Sequence, residues 1–396
     1  MMKLKIIFIL CSSVLFLCCS STKRRVLSSQ AADSFSMGKD TALAIKVQMD
    51  NEDYFGELDD HLCMASYVKL APEPLLAPLK SVKIQDGRIY VHDRSDRLVC
   101  YDMNGMVKYQ IFAVGNGPGE YAEITSFTLD TTRGEIVLYD NTRTSLLYYS
   151  LKEGRFLRST RFVKPTPSEM VFHDGMFFYN NRHHRNYPND TLLHYSLLAS
   201  ADGLTIDKSF YSHNEAEENY IFSPSLQTFN VNDDVLYYCK NFDNKVYEIG
   251  KDTIKPRYEI ELPNFLPVSV VEDKVDEWQL LRSGYSFGIT HVYEIDGLLY
   301  FRFHNSGFYW NTLYDLREKK QICCVKALQE GGSSNIPLID IINGVYDGMF
   351  FSVLTSEFID YYISKDLTEY PEFLQQYDAE TENPIIMFYR TTSLTQ

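Results

Sequence analysis

Asp86-Gly87-Arg88-Ile89-Tyr90-Val91-His92-Asp93 is a turn running into a short apolar and aromatic strand, and the chain returns to that phrase. Arg133-Gly134 leads into Glu135-Ile136-Val137-Leu138-Tyr139-Asp140, Asp174-Gly175 into Met176-Phe177-Phe178-Tyr179, and Asp233-Asp234 into Val235-Leu236-Tyr237-Tyr238. Asp296-Gly297 then leads into Leu298-Leu299-Tyr300-Phe301, and Asp347-Gly348 into Met349-Phe350-Phe351. Six returns of one supersecondary phrase, at intervals of about 40 to 60 residues, predict a repeat architecture of propeller type.

Each phrase has a partner strand after a loop: Leu98 to Tyr101, Leu146 to Tyr149, Leu192 to Leu197, Lys245 to Ile249 and Thr312 to Leu316. A shorter strand precedes each turn: Ser81 to Ile84, Ile124 to Leu129, Met170 to Phe172, Thr228 to Val231, Thr290 to Ile295 and Leu338 to Ile342. A fourth follows, as in Val107 to Phe112 or Arg257 to Leu262. The fold class read from this is all-β: a six-bladed β-propeller with four-stranded antiparallel blades. The sixth phrase is followed by helical spacing from Glu357 to Tyr377, with Thr368 and Pro371 as a helix start, so the last blade carries a small helical insert. Its third strand is then Pro384 to Arg390, and its fourth comes from the amino-terminal side, Ser66 to Leu70. Such mixing of the two ends closes the ring and removes free strand edges. The propeller is placed at residues 42–392 as one domain.

The amino terminus gives an address. Lys3 and Lys5 precede an apolar run from Ile6 to Leu17, short for a membrane span and suited to a signal-peptide core. It ends in Leu15-Phe16-Leu17-Cys18-Cys19-Ser20-Ser21, which resembles a bacterial lipobox. A small residue before the cut favours Cys19 as the lipidated residue, with Cys18 as the other register. Residues 1–18 are read as a lipoprotein signal peptide and 19–41 as a flexible tether. Ser20-Ser21-Thr22-Lys23-Arg24-Arg25 lacks an acidic cluster, which leans towards the periplasmic leaflet of the outer membrane over the cell surface.

Beyond Cys11, Cys18 and Cys19, the cysteines are Cys63, Cys100, Cys239, Cys323 and Cys324. They are widely spaced, with no CxxC, and read as buried free thiols, not as a zinc site or disulfide framework. Adjacent Cys323 and Cys324 point to opposite faces of a strand. The net charge of −15, or −17 once Lys3 and Lys5 leave with the signal, argues against nucleic acid and anionic lipid as partners. The 29 Tyr and 25 Phe against 2 Trp suit strands better than helices.

Gly115-Asn116-Gly117-Pro118-Gly119-Glu120-Tyr121, together with Cys18/Cys19 and Asn383-Pro384 to Arg390, resembles the six-bladed propeller lipoproteins of Gram-negative gut-type bacteria, a family distantly like NHL-repeat propellers. The resemblance covers nearly all the mature chain and implies fold and envelope location, with little chemistry attached. The NHL-like aspartate at the strand end is present at Asp93 and Asp140 and replaced later by Asn180-Asn181 and Lys240. In the glycine loop, Gly115, Gly117 and Gly119 permit positive-φ turns and Pro118 stiffens the chain. Glu120 and Tyr121 are expected near the central channel, as braces of the blade junction first and as ligand contacts second.

Loops joining strands two and three share a face with the loops joining blades, and propeller sites gather on such a loop-rich face. Two loops there concentrate useful chemistry. Arg182, His183, His184 and Arg185 bring donors and positive charge; His304, Asn305, Tyr309 and Trp310 set aromatic planes beside an amide and an imidazole. An apolar ring face with donors around it suits a sugar or an anionic small molecule; ordinary polar loops are the competing reading for each. No cofactor is predicted and no metal site assigned; calcium at the channel mouth is a minor option through Glu120 or Asn141. Glu215-Ala216-Glu217-Glu218 reads as a solvated loop. No HExxH or GxSxG is present, so catalytic residues stay unassigned. The function expected is a lipid-anchored envelope propeller binding a glycan or peptide, more a binding module than an enzyme. The alternatives are a lyase or hydrolase using a channel-mouth metal, and a protein–protein scaffold in an envelope complex.

Overall fold

The computed structural model describes residues 36–38, 41–55, 58–162, 166–181, 194–213, 217, 227–250, 252–273, 275–328, 335–364 and 371–392. The segments read as an export signal and, up to residue 35, as a tether, together with Arg182, His183, His184 and Arg185, lie outside the described residues.

The Asp-Gly phrases fold as they do because an aspartate followed by glycine tolerates two successive positive φ angles, the geometry that turns a tight hairpin. Asp86 and Gly87 lie at +50° and +69°, Asp174 and Gly175 at +48° and +79°, Asp296 and Gly297 at +51° and +79°, Asp347 and Gly348 at +52° and +66°. Each turn joins the first and second strands of a blade. Blade 1 comprises Leu79–Gln85, Arg88–Asp93, Leu98–Asp102 and Val107–Ile111; blade 2, Ser126–Asp130, Glu135–Asp140, Ser145–Ser150 and Phe156–Arg161. Blade 3 comprises Pro167–His173, Met176–Asn181, Tyr195–Ser200 and Lys208–Ser212; blade 4, Phe229–Asn232, Val235–Cys239, Lys245–Ile249 and Thr253–Glu261. Blade 5 comprises Ser286–Ile295, Leu298–Asn305, Phe308–Asp315 and Lys320–Val325. Blade 6 takes Gly344–Tyr346, Met349–Leu354 and Ile385–Thr391 from the carboxyl end and Leu62–Lys69 from the amino end. Ser66 pairs with Phe388 and Lys69 with Ile385, so the expected closure holds.

The second strands bury both faces, which explains their continuous apolar runs. In Arg88–Asp93, Tyr90 enters the core shared by blades 1 and 2, while Ile89 and Val91 enter the core shared by blades 6 and 1. Leu236 and Tyr237 divide in the same way between the cores of blades 3/4 and 4/5. Cys323 and Cys324 likewise face opposite cores, and Cys100, Cys239, Cys323 and Cys324 are buried free thiols.

One strand differs from expectation. Leu338 to Ile342 is not the innermost strand of blade 6; Gly344–Tyr346 is, and Leu338, Ile339 and Ile342 instead fill the core between blades 5 and 6 from an irregular segment. In the insert, the described residues form the helices Ser356–Ser364 and Glu372–Gln375, the second starting after Pro371 as expected. Two short helices, Val268–Glu272 and Glu277–Arg282, occupy the connection between blades 4 and 5. Upstream, Ser36–Met37 and Leu43–Lys46 both run parallel to the outer strand of blade 4.

The inner strands of neighbouring blades are fastened by side chains that bond the next blade's backbone. Ser126 Oγ and Thr128 Oγ1 accept the Met170 and Phe172 N–H groups at 3.1 and 2.7 Å. Glu169 Oε2 accepts from Thr228 N–H at 2.8 Å and Phe229 N–H at 3.3 Å. Asn230 and Asn232 accept from Val292 and Glu294 N–H at 3.2 and 2.7 Å. Tyr293 donates to the Asn343 carbonyl at 2.7 Å, and Tyr346 accepts from Gly87 N–H at 3.0 Å. The turns of blades 4 and 6 also meet, with Gly348 N–H donating to Asp233 at 3.2 Å.

Asn232 is buried and also donates to the Val292 carbonyl at 3.1 Å. Asn232→Leu keeps the branched shape but strands an N–H and a C=O, and should cost roughly 2–4 kcal/mol in urea unfolding. Val231→Ala, at the 39 % exposed neighbour, should cost less than about 1 kcal/mol.

Candidate functional site

The glycine loop is a brace. Tyr121 is fully buried; its hydroxyl donates to the Asp96 carbonyl at 2.7 Å and accepts from Ala113 N–H at 3.2 Å. Glu120 folds back so that Oε2 accepts from Gly117 N–H at 2.5 Å, covering Gly115, where a Cβ would collide with its carboxylate, and lying close against Gly117. Arg143 clamps the loop from blade 2 through the Glu120 carbonyl, the Gly115 carbonyl and Asn116. Gly119 has φ +80°, and a Cβ there would fall 2.8 Å from Phe156. The Tyr121 ring belongs to the core of blades 1 and 2, and the Glu120 carboxylate is engaged by the loop's own Gly117 N–H, the bracing role expected first for both. Asn141, the other residue considered for calcium, accepts from the Tyr139 hydroxyl at 3.0 Å. Among the described residues no three His, Cys, Asp or Glu side chains converge as metal ligands.

The strand-end aspartates act similarly. Asp93 is fully buried and accepts from Ala77 N–H, Ser95 and Arg97. Burial alone would raise its pKa, but the bonds from Ser95 and Arg97 hold the carboxyl below the ordinary aspartate value. Asp140 accepts from Ala122 N–H at 2.7 Å, tying blade 2 to the connection that enters it. In the run read as a solvated acidic loop, Glu217 is drawn inward, 2.9 Å from Lys240 and 3.2 Å from His213. It is the one residue of that run that is described.

His304 to Asn311 is not a loop. The second and third strands of blade 5 continue to Asn305 and from Phe308, leaving only Ser306-Gly307 as the turn, at φ +52° and +86°. His304 is therefore a buried strand residue against Phe287, with ring centres 4.9 Å apart and Tyr309 edge-on at 5.6 Å. Burial lowers its pKa, which keeps it neutral at pH 7. Asn305 spends its amide on the Gly284 carbonyl and Ser286 Oγ, both at 3.0 Å. Trp310 is 8 % exposed, in the core of blades 4 and 5. Tyr309 alone of the four keeps a solvent-reaching ring, with the Arg302 guanidinium 4.7 Å from its centre.

The exposed aromatics on this face are others. Trp278 is 68 % exposed and Phe308 54 %, with Val268 at 58 %. Trp278 stands in the first turn of Glu277–Arg282, where Asp276 caps the helix by accepting from Trp278 N–H at 3.0 Å and Gln279 N–H at 3.3 Å. Leu280 and Val271 anchor the two helices on Phe287 and Leu266. The blade 5 turn is tied to the helix end by Ser306 N–H donating to the Ser283 carbonyl at 3.1 Å. Lys326 sits 4.9 Å from the centre of the Phe308 ring and pairs with Asp53 at 2.6 Å. Sequence reasoning assigned no role to Trp278; the signal available was an aspartate cap two residues before it, in Asp276-Glu277-Trp278-Gln279-Leu280-Leu281.

With one exposed and one buried tryptophan, fluorescence separates them. Trp278→Phe should remove the red-shifted, acrylamide-quenchable emission, leaving the blue-shifted emission of Trp310; Trp310→Phe should do the reverse.

A search of curated protein sequences finds no significant match. Among solved structures, the chain is similar to a candidate exported protein of Bacteroides fragilis NCTC 9343, at 17 % identity, TM-score 0.72, covering 89 % of this chain and 100 % of that one. A member of the DUF4221 family from Bacteroides vulgatus ATCC 8482 aligns at 10 % identity and TM-score 0.46, covering 84 % of this chain and 99 % of that one. The first likeness is one of fold. The family described as Domain of unknown function (DUF4934) matches residues 65–390, from the strand that closes the ring to the last residues of its partner, and the chain belongs to that family.

Proposed function

We propose that this protein is a lipid-anchored binding module of the cell envelope whose loop-rich face at blades 4 and 5 receives a glycan. The observation that carries the reading is Trp278: an indole 68 % exposed, yet fixed on a capped helix whose apolar side is buried. A rigid aromatic plane offered to solvent binds the apolar face of a sugar ring with little loss of entropy. The six blades supply the rigidity, and Tyr309 and Phe308 extend the aromatic surface on the neighbouring hairpin. Val268, 58 % exposed in the adjacent helix, favours an apolar peptide segment as the second reading.

The anchor would be Cys19, or Cys18, at the end of the export signal, with the protein held at the outer membrane facing the periplasm. Support comes from the Leu15-to-Ser21 sequence and from the export description of the Bacteroides fragilis relative. From Cys19 to Ser36, where the chain joins blade 4, a fully extended tether reaches roughly 60 Å. That length lets the loop-rich face turn away from the bilayer.

Glycan and peptide arrays probed with the mature domain should give hits that Trp278→Ala weakens at least about tenfold, a typical loss for an aromatic anchor. Hits unchanged by Trp278→Ala would move the site elsewhere on the propeller. Changing Cys18 and Cys19 together to Ala should release the protein from the membrane fraction; retention would defeat the anchor.

A further inference from the structure

We propose that the seam between the inner strands of blades 1 and 2 is a binding site, open to the channel, for the anionic terminus of a small molecule, a carboxylate or a phosphate. This site is separate from the face around Trp278 and does not depend on that reading.

Three of the six seams are fastened by side chains of one inner strand accepting from backbone N–H groups of the next; in two more, Tyr293 and Tyr346 bond backbone just outside the next inner strand, at Asn343 and in the turn at Gly87. In blade 1 the corresponding position belongs to Lys83. Its register partner is Tyr90, which enters the core of blades 1 and 2, so Lys83 faces blade 2 as Thr128 faces blade 3. An ammonium group only donates, and cannot hold a backbone N–H. Among the described residues no side chain of Leu79–Gln85 bonds Ser126–Asp130; the polar fastening of this seam lies beyond the strand ends, where Ile124 N–H donates to Asp96 at 3.1 Å.

Lys83 Nζ has neither a hydrogen bond nor an ion pair among the described residues; it lies 5.1 Å from the centre of the Phe127 ring. The residue as a whole is half-buried, and burial of the ammonium lowers its pKa against the opposing pull of Glu169. Glu169, from blade 3, spends Oε2 on Thr228 N–H, the Thr228 hydroxyl at 2.6 Å and Phe229 N–H, while Oε1 takes no bond among the described residues. The two groups feel each other's charge without pairing. His92 adds a second unused donor or acceptor on the same side of blade 1, opposite Ser81 in register. It is 2 % exposed, its Nε2 has no hydrogen bond, Asp96 stands at 3.6 Å, and its ring meets Phe127 edge-on at 6.1 Å.

A cation left unpaired inside an acidic protein is satisfied by a compact anion that accepts from Nζ, and Phe127 offers an apolar floor for the carbon skeleton.

The test is thermal unfolding of the mature chain and of Lys83→Met with acetate, succinate and phosphate as probes, at matched ionic strength. A general salting effect raises both proteins alike and cancels in the difference. The proposal expects a saturable rise of about 2 °C or more in the wild type that Lys83→Met lacks. The probe that gives it tells carboxylate from phosphate. It also expects Lys83→Met without probe to have a higher urea midpoint, because an uncompensated cation has been removed. No probe-dependent difference between the two proteins, or a Lys83→Met midpoint below wild type, overturns it.

Discussion

The whole ring depends on what happens to backbone donors on the channel side of each blade. An inner strand pairs with one neighbour within its own sheet, and its other edge would be left without partners. Buried N–H groups left in that state cost about as much as a lost hydrogen bond each. This chain answers with short polar side chains at alternate positions: Ser126 and Thr128, Glu169, and Asn230 and Asn232 all face the next blade and accept from its backbone. The aromatic cores between blades hold the sheets face to face, but these acceptors set the spacing at the centre. Where the acceptor is replaced by Lys83, the inner strands of two blades are left unlaced.

The loop-rich face follows from the same frame. Strand-end residues such as Asp93 and Asp140, and the folded-back Glu120, spend their charge on the connections between blades. What remains available is what the connections add. The helices between blades 4 and 5 bring Trp278 to the surface because their apolar side is needed under them, against Phe287 and Leu266. A binding surface here is a by-product of how the longest described connection between two complete blades covers its own core.

The sequence made the blades readable because the Asp-Gly turns and the alternation of Ile89, Tyr90 and Val91 are local signals with a local cause. The closing strand was readable from counting: one blade lacked a strand and one end had a strand to spare. Leu338 to Ile342 misled because an irregular segment buried on all sides has the same apolar composition as an inner strand. His304, Asn305 and Trp310 misled for the opposite reason. Polar and aromatic residues near a glycine suggest a loop, while the long strands of blade 5 carry the pairing out to a two-residue turn and bury them. The Lys83 site was not legible, since its meaning lies in comparison with Thr128 and Asn230 across blades, and register is needed to make it.

Native-state hydrogen exchange, resolved residue by residue, tests this account most directly. The amides of Met170, Phe172, Val292 and Glu294 should exchange only with global unfolding, whereas the amides of Ser126–Asp130 that face blade 1 should exchange orders of magnitude faster. Equal protection of both sets would show that side-chain lacing does not hold the centre of the propeller, and the open seam at Lys83 would go with it.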